Sequence, residues 1–245
     1  MEMRKEIDGV VEWIKQYVAE AMVEGVVIGL SGGIDSAVVA ELCVEALGPD
    51  RVYAVMLPAN SLSKGLADDL GIIWTTTNFP KILKGLQEDW FYDEDYDELT
   101  LGNFASRLRM AYLYAEANHR ECLVVGTSNK SELEIGYVTK GGDSVVDLEP
   151  LGQFYKTEVY EIAKILDIPQ EIIDAKPSAG LWEGQTDEEE IGMSYGELDM
   201  YLKIISGGWR AALPDDYNPV KREKVKSMIL GAYHKNHMPP TYKRR

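Results

Sequence analysis

Two serines and three glycines crowd into one short stretch of this 245-residue chain, Gly29-Leu30-Ser31-Gly32-Gly33-Ile34-Asp35-Ser36. Glycines let a backbone approach a ligand closely, and hydroxyls both donate and accept. A helix starting just after such a turn points its free N–H groups and the positive end of its dipole at whatever lies there. The chemistry that suits this combination is phosphate binding. The lysine of the Walker A pattern is absent, so an ordinary P-loop ATPase is a poor match. Two further side chains stand out. Glu132 follows a short apolar run, as Asp35 does, and carboxylates of this kind suit Mg²⁺, a hard cation that also takes phosphate oxygens. Lys156 opens a helical stretch, where the dipole opposes a cation, and a phosphate partner would remove that conflict.

The elements that must position these groups are legible in the apolar pattern. Val26–Leu30, Val52–Leu57, Ile72–Thr76 and Cys122–Val125 are short runs without alternation, as strands buried on both faces require. Helical spacing marks Arg4–Val23 (Ile7, Val10, Val11, Ile14, Val18, Met22), Ala37–Leu47, residues 79–89 and Gly102–Asn118. Strands alternating with helices predict an α/β fold, a doubly wound parallel sheet with helices on both faces. Asp35 and Glu132 then follow the first and fourth strands at the carboxyl edge, where such sheets bind ligands. Leu62–Leu70 reads only as a polar stretch, Asp93–Glu98 as an acidic solvated loop and Gly136–Asp147 as a glycine-rich loop. Helices follow at Lys156–Leu166 and near Tyr195–Ile205, with a loop at Lys176–Asp187 between them and a last helix before a basic tail. The expected partition is one domain over 1–245, with an α/β core over about 20–170 and a helical C-terminal extension over about 171–245.

With 45% apolar and 27% charged residues the chain reads as globular. Its 25 basic and 41 acidic residues leave a net charge of −16, which argues against a broad nucleic-acid or membrane surface. Cys43 and Cys122 sit in apolar runs as core fillers, too few for a disulfide framework, and fit a reducing cytosol. There is no 18-residue apolar run, and the N-terminus is charged and amphipathic rather than a signal peptide. A soluble cytoplasmic protein is the expectation. His119 and His237 read as surface groups; Trp182 reads equally as a gate or a loop anchor.

The run Ser31-Gly32-Gly33-Ile34-Asp35-Ser36 after a first buried strand resembles the pyrophosphate loop of the N-type ATP pyrophosphatases. Further segments narrow the likeness: Gly102-Asn103-Phe104-Ala105-Ser106-Arg107-Leu108-Arg109-Met110, Gly126-Thr127-Ser128-Asn129-Lys130-Ser131-Glu132, Thr139-Lys140-Gly141-Gly142-Asp143, Asp147-Leu148-Glu149-Pro150-Leu151, Lys156-Thr157-Glu158-Val159, Lys176-Pro177-Ser178 and Gly184-Gln185-Thr186-Asp187-Glu188. In this order they resemble the ammonia-dependent NAD synthetases over most of the chain. That resemblance implies a ligase that adenylates the nicotinate carboxylate of deamido-NAD with ATP and amidates it with ammonia, releasing AMP and pyrophosphate. It implies Mg²⁺ on Asp35 and Glu132, and Asp35 and Lys156 as catalytic residues. ATP contacts fall on Gly29, Leu30, Ser31, Gly32, Gly33, Ile34, Asp35, Ser36, Thr127, Lys156 and Ser178, and deamido-NAD contacts on Arg107, Lys140, Asp147, His234 and Lys235. A homodimer is also implied, with no nucleic acid or membrane partner.

The segment Met56–Ser63 is shorter than its counterpart in these enzymes, which leaves Met56 and Leu57 as candidate walls for adenine. Two rivals share the loop. A tRNA-modifying enzyme would want a basic surface, and a nucleotide sensor without turnover would not need Asp35, Glu132 and Lys156 together. A glutamine-fed enzyme would need an amidase domain with its own nucleophile, for which 245 residues leave no room.

Overall fold

Four parallel strands of only four or five residues form the sheet; three are rich in valine and mostly buried, and the edge strand Ile73–Thr76 is partly exposed. The structure, a computed structural model, describes residues 2–90, 96–178, 180, 182, 184–208, 213–215 and 217–242. The elements are α1 (Glu2–Ala21), β1 (Gly25–Gly29), α2 (Ile34–Leu47), β2 (Val52–Met56), α3 (Ser61–Leu70), β3 (Ile73–Thr76), α4 (Phe79–Trp90), α5 (Glu98–Arg120) and β4 (Cys122–Val125). Then come α6 (Lys130–Ile135), α7 (Lys156–Ile165), α8 (Gln170–Ile173), α9 (Asp187–Ile191), α10 (Tyr195–Ile205) and α11 (Pro219–Ala232).

The sheet order is β3-β2-β1-β4, all parallel, with Gly29 opposite Val55 and Ile28 opposite Val125. Successive strands step one way from β1 to β3, and β4 then returns to the other side of β1. That reversal opens a crevice at the carboxyl ends of β1 and β4, the place where open α/β sheets take ligands. Side chains alternate across the sheet. Val26, Ile28, Ala54 and Val125 pack with Ile14, Val38 and Ile162 on the face covered by α1, α2 and α7. Val27, Val55 and Val124 pack against Met110, Leu113 and Ala117 of α5 on the other. A separate cluster joins Ile135 of α6 to Tyr201, Leu202 and Val225 of α10 and α11.

The expected doubly wound α/β sheet is present. Four short helices, α3, α6, α8 and α9, were not foreseen, because their burial is too slight to leave an apolar period. In α3 only Ser63, Leu66 and Ala67 are buried. Capping helps hold two of them: Asn60 accepts the Ser63 N–H, and Asn129 accepts the Glu132 N–H, each with a reciprocal bond. Helix α5 starts earlier than its apolar spacing suggested because Asp97 caps it, accepting the Thr100 N–H at 2.7 Å. Of the acidic stretch Asp93–Glu98, residues 93–95 lie outside the described residues, and Glu98 is already helical.

Asn60 does a second job. Its Nδ2 donates to the Ser31 carbonyl at 2.7 Å, tying the turn after β2 to the turn after β1. It also lies over Gly32, which has φ +89°, and a Cβ on Gly32 would sit 2.8 Å from Asn60 Oδ1. Asn60→Ala removes the cap and the tie together. We expect a loss of about 1–2 kcal/mol, read as a lowered midpoint in urea at unchanged slope.

Candidate active site

The loop after β1 is organised by its own hydroxyls. Ser36 Oγ donates to the Gly33 carbonyl at 2.9 Å and lies 3.0 Å from Ser31 Oγ, which accepts the Gly33 N–H at 3.1 Å. Gly33 precedes α2 and no side chain caps it, so the N–H groups of the first turn remain free for a ligand. This is the arrangement expected of an anion cradle.

Beside the loop stands a buried ion cluster. The Lys156 side chain is 2% exposed, and its ammonium contacts Asp35 Oδ2 directly and Glu132 Oε1 at 3.6 Å. Asn129 Nδ2 donates to Asp35 Oδ1 at 3.0 Å, and the Asn129 N–H donates to Glu132 Oε2 at 3.1 Å. The Tyr195 hydroxyl lies 3.0 Å from Asp187 Oδ2 and 3.3 Å from Glu132 Oε1. Burial and the nearby Asp35 charge push the Glu132 carboxyl above the usual carboxylate range, against the pull of Lys156. Burial alone would lower the Lys156 ammonium, but Asp35 and Glu132 outweigh it and hold the proton more tightly than usual. The expected conflict between Lys156 and the dipole of its helix is met without phosphate: Asp199 accepts the Thr157 N–H at 2.9 Å, and Asp35 takes the charge.

Loop and cluster open on a cavity of roughly 800 Å³. All the residues expected to touch ATP line it: Gly29 to Ser36, Thr127, Lys156 and Ser178. Of the two candidate adenine walls Leu57 lines it, whereas Met56 is fully buried in the core. The expected dinucleotide residues divide. Lys235 lines the cavity, and its Nζ donates to the Gly136 and Val138 carbonyls at 2.7 and 2.8 Å. Lys140 donates to the His234 carbonyl at 2.8 Å, and Arg107 to the Lys140 carbonyl at 3.1 Å, so the three form one strap beside it. Asp147 is used within the fold, its Oδ2 accepting the Val124 N–H at 2.7 Å and its Oδ1 the Tyr114 hydroxyl at 3.3 Å. Arg107, Lys140, Asp147 and His234 do not line the cavity. His119 and His237 are exposed, Cys43 and Cys122 are buried, and Trp182 is partly buried.

Sequence reasoning passed over Asn129, Asp187, Tyr195 and Asn60. Asn129 and Asp187 were inside quoted motifs, yet nothing in spacing tells a cap from a ligand. Tyr195 opens a helix 63 residues from the carboxylate it meets, which no local signal could show.

The sequence model of the NAD synthase family matches residues 6–239. The chain belongs to the NAD synthase family. It is 41% identical to the NH3-dependent NAD+ synthetase of Methanosarcina mazei over 98% of both chains. It is 40% identical to that of Methanocaldococcus jannaschii over 98% of this chain and 96% of the relative. Among solved structures it resembles an NMN synthetase from Francisella tularensis (TM-score 0.86, 32% identity, all of both chains). It also resembles an NH3-dependent NAD synthetase from Campylobacter jejuni (TM-score 0.82, 30% identity, 99% of this chain and all of that one).

The donor set of this NAD synthase fits Mg²⁺. Asp35 and Glu132 put two hard carboxylates on the cavity wall next to the anion cradle. Among the described residues no group of three or more acidic, histidine or cysteine side chains forms a closed cage. Mg²⁺ characteristically completes such a partial set with water and substrate phosphate.

Two predictions follow from the charges. Asp35→Asn leaves a buried ammonium with one distant carboxylate and should cost about 2–4 kcal/mol in urea unfolding. Adding Lys156→Met to it should recover part of that loss. The second concerns Glu149, whose Oε2 accepts the Ser128 N–H at 3.2 Å while Oε1 is buried without a partner. Burial raises its carboxyl to about 8, Ser128 opposing and the neighbouring Glu132 and Asp143 adding to the rise. The folded chain therefore holds this proton between about pH 4.5 and 8 while the unfolded chain releases it, and stability falls as pH rises through that window. Glu149→Gln should gain on the wild type by about 2 kcal/mol between pH 5.5 and 8.5 in parallel denaturation series.

Proposed function

We propose that the chain is an ATP-dependent ligase that amidates the nicotinate carboxylate of deamido-NAD with ammonia, releasing AMP and pyrophosphate. The observation that carries this reading is the junction of an uncapped helix N-terminus, its hydroxyl loop and the Asp35–Lys156–Glu132 cluster in one cavity. The names of the relatives supply ammonia as the nitrogen source and NAD+ as the product.

The triphosphate rests on the Ser31–Ser36 loop, its β- and γ-phosphates toward Asp35 and Lys156. The nicotinate carboxylate attacks the α-phosphorus, the bond to the bridging oxygen breaks, and pyrophosphate leaves. Ammonia then attacks the acyl carbon; AMP departs with one former carboxylate oxygen, and a proton is lost as the amide forms. Lys156 neutralises charge on the departing pyrophosphate, and the N–H groups at the start of α2 hold it in place. Mg²⁺ on Asp35 and Glu132 would supply further charge neutralisation at the phosphates. Thr127 and Ser178 contribute hydroxyl contacts to ATP. Arg107, Lys140, Asp147, His234 and Lys235 serve the dinucleotide, Lys235 from the cavity wall and the others from around it. No covalent nucleophile is required. The reading includes a cytoplasmic homodimer; no described helix is long and apolar enough to cross a membrane.

The likeness to a structure named NMN synthetase favours a second reading, in which the same amidation yields the mononucleotide NMN. One experiment tests both. Deamido-NAD or nicotinate mononucleotide, each labelled with ¹⁸O in the carboxylate, is incubated with ATP, Mg²⁺ and ammonium. The expected result is faster conversion of the dinucleotide, with label in AMP and none in pyrophosphate. Label in inorganic phosphate, or ADP as product, would refute adenylation; faster conversion of the mononucleotide would select the second reading.

A further inference from the structure

A cation with no acid partner lies on the opposite side of the loop from Lys156. Arg109 lines the cavity from α5 and is partly buried there. Its Nε donates to the Leu57 carbonyl at 3.0 Å and one Nη2 proton to the Gly180 carbonyl at 3.4 Å. The guanidinium also lies over the Phe79 ring, 5.0 Å from its centroid. A guanidinium has five N–H donors, so these two bonds leave about three unused. Among the described residues no carboxylate lies within ion-pair distance of it. Burial lowers its proton affinity, and the more distant Asp143 only partly restores it. Two other lining cations differ: Lys156 is held by two carboxylates, and Lys235 by two carbonyls.

The register places this group. Gly29 of β1 is opposite Val55 of β2, so Leu57, two residues on, stands level with Ser31. Paths along neighbouring strands are about 4.8 Å apart. Arg109 thus holds a carbonyl at the start of the turn after β2, which Asn60 ties to the first serine of the loop. The helix agrees with this. Leu113 sits against Gly29 at the end of β1, and Arg109, one turn earlier on the same face, overhangs the space just beyond. Along the crevice the order is therefore Leu57, Arg109, the serine loop, then Asp35, Lys156 and Glu132. A nucleoside triphosphate with its β- and γ-phosphates at that cluster has its α-phosphoryl group next to Arg109.

We propose that Arg109 binds the α-phosphoryl group of ATP and retains it in the acyl adenylate and in AMP. This rests on the ligase reading above and deepens it. A guanidinium at that atom favours attack there, because charge moves onto the α-phosphoryl oxygens as the carboxylate approaches. It also explains why a partly buried arginine is held by carbonyls rather than by an acid: an acid partner would compete with the phosphate.

The test is a binding comparison that needs no turnover. AMP and adenosine differ by the group in question, and calorimetry of each against wild type and Arg109→Gln isolates it. Wild type should prefer AMP, and Arg109→Gln should lose about tenfold or more of that preference while adenosine binding changes little. A merely structural role would weaken both ligands equally. Phe79→Leu, which removes the ring beneath the guanidinium, should leave the preference largely intact. If Arg109→Gln does not fold, Arg109→Lys keeps the charge without the fork and should lose about threefold of the preference. An unchanged AMP preference in the folded variant, or no preference in wild type, overturns the proposal. Failure of the labelled amidation assay would instead strike the ligase reading, since AMP binding is measured without deamido-NAD or ammonium.

Discussion

One buried ammonium holds the site together. Lys156 comes from the start of α7, Asp35 from the first turn of α2 and Glu132 from the first turn of α6, and each follows a different part of the chain. Taking these charges out of water is costly unless geometry and further hydrogen bonds compensate. Here Asn129 serves both carboxylates, Tyr195 reaches Glu132, and Asp199 satisfies the backbone at the start of α7. A residue lost from this set leaves the others desolvated and unpaired, so the cluster constrains three helices at once. The same carboxylates are also the hard ligands on the wall of the cradle, and the fold's electrostatic joint is thus part of its working surface.

Helix α5 supplies the opposite wall and shows how a single helix divides its labour. Its inner face sends Met110, Leu113 and Ala117 to the sheet, while Asn103, Ser106 and Arg109 reach the cavity farther toward its N-terminus. Arg107 lies outside that arc in helical phase and turns instead to the Lys140 carbonyl. The strap of Arg107, Lys140 and His234 then brings the C-terminal residues against the 136–140 segment, beside Lys235 on the cavity wall. The separate apolar cluster of α10 and α11 against α6 anchors that end of the chain.

Much of this was legible in the chain before any coordinates. Unbroken valine-rich runs marked three of the strands, since parallel strands covered on both faces need no polar alternation, and the β-branched run Ile72–Thr76 marked the edge strand. The glycines and serines after β1 marked the cradle, because few other turns need so much backbone access and so many hydroxyls together. Short helices escaped because four to ten residues are too few for an apolar period to show. The task of Asp147 within the fold could not be read from its type: it closes the end of β4 through Val124 and Tyr114, which are far from it in sequence. Met56 shows the same limit, since one residue along a strand separates a cavity wall from the core.

The sequence by itself determined local matters: which segments are strands or helices, where the phosphate loop lies, and the family to which the motifs belong. These depend on periodicity and on residue types a few positions apart, which a linear reading contains. Tertiary structure alone decided the partners. Lys156 and Asp35 are 121 residues apart, Asn129 and Asp35 are 94 apart, and Tyr195 and Glu132 are 63 apart. Charge pairing and burial depend on distances through space, and only the strand order β3-β2-β1-β4, with its reversal at β1, brings those residues to one edge.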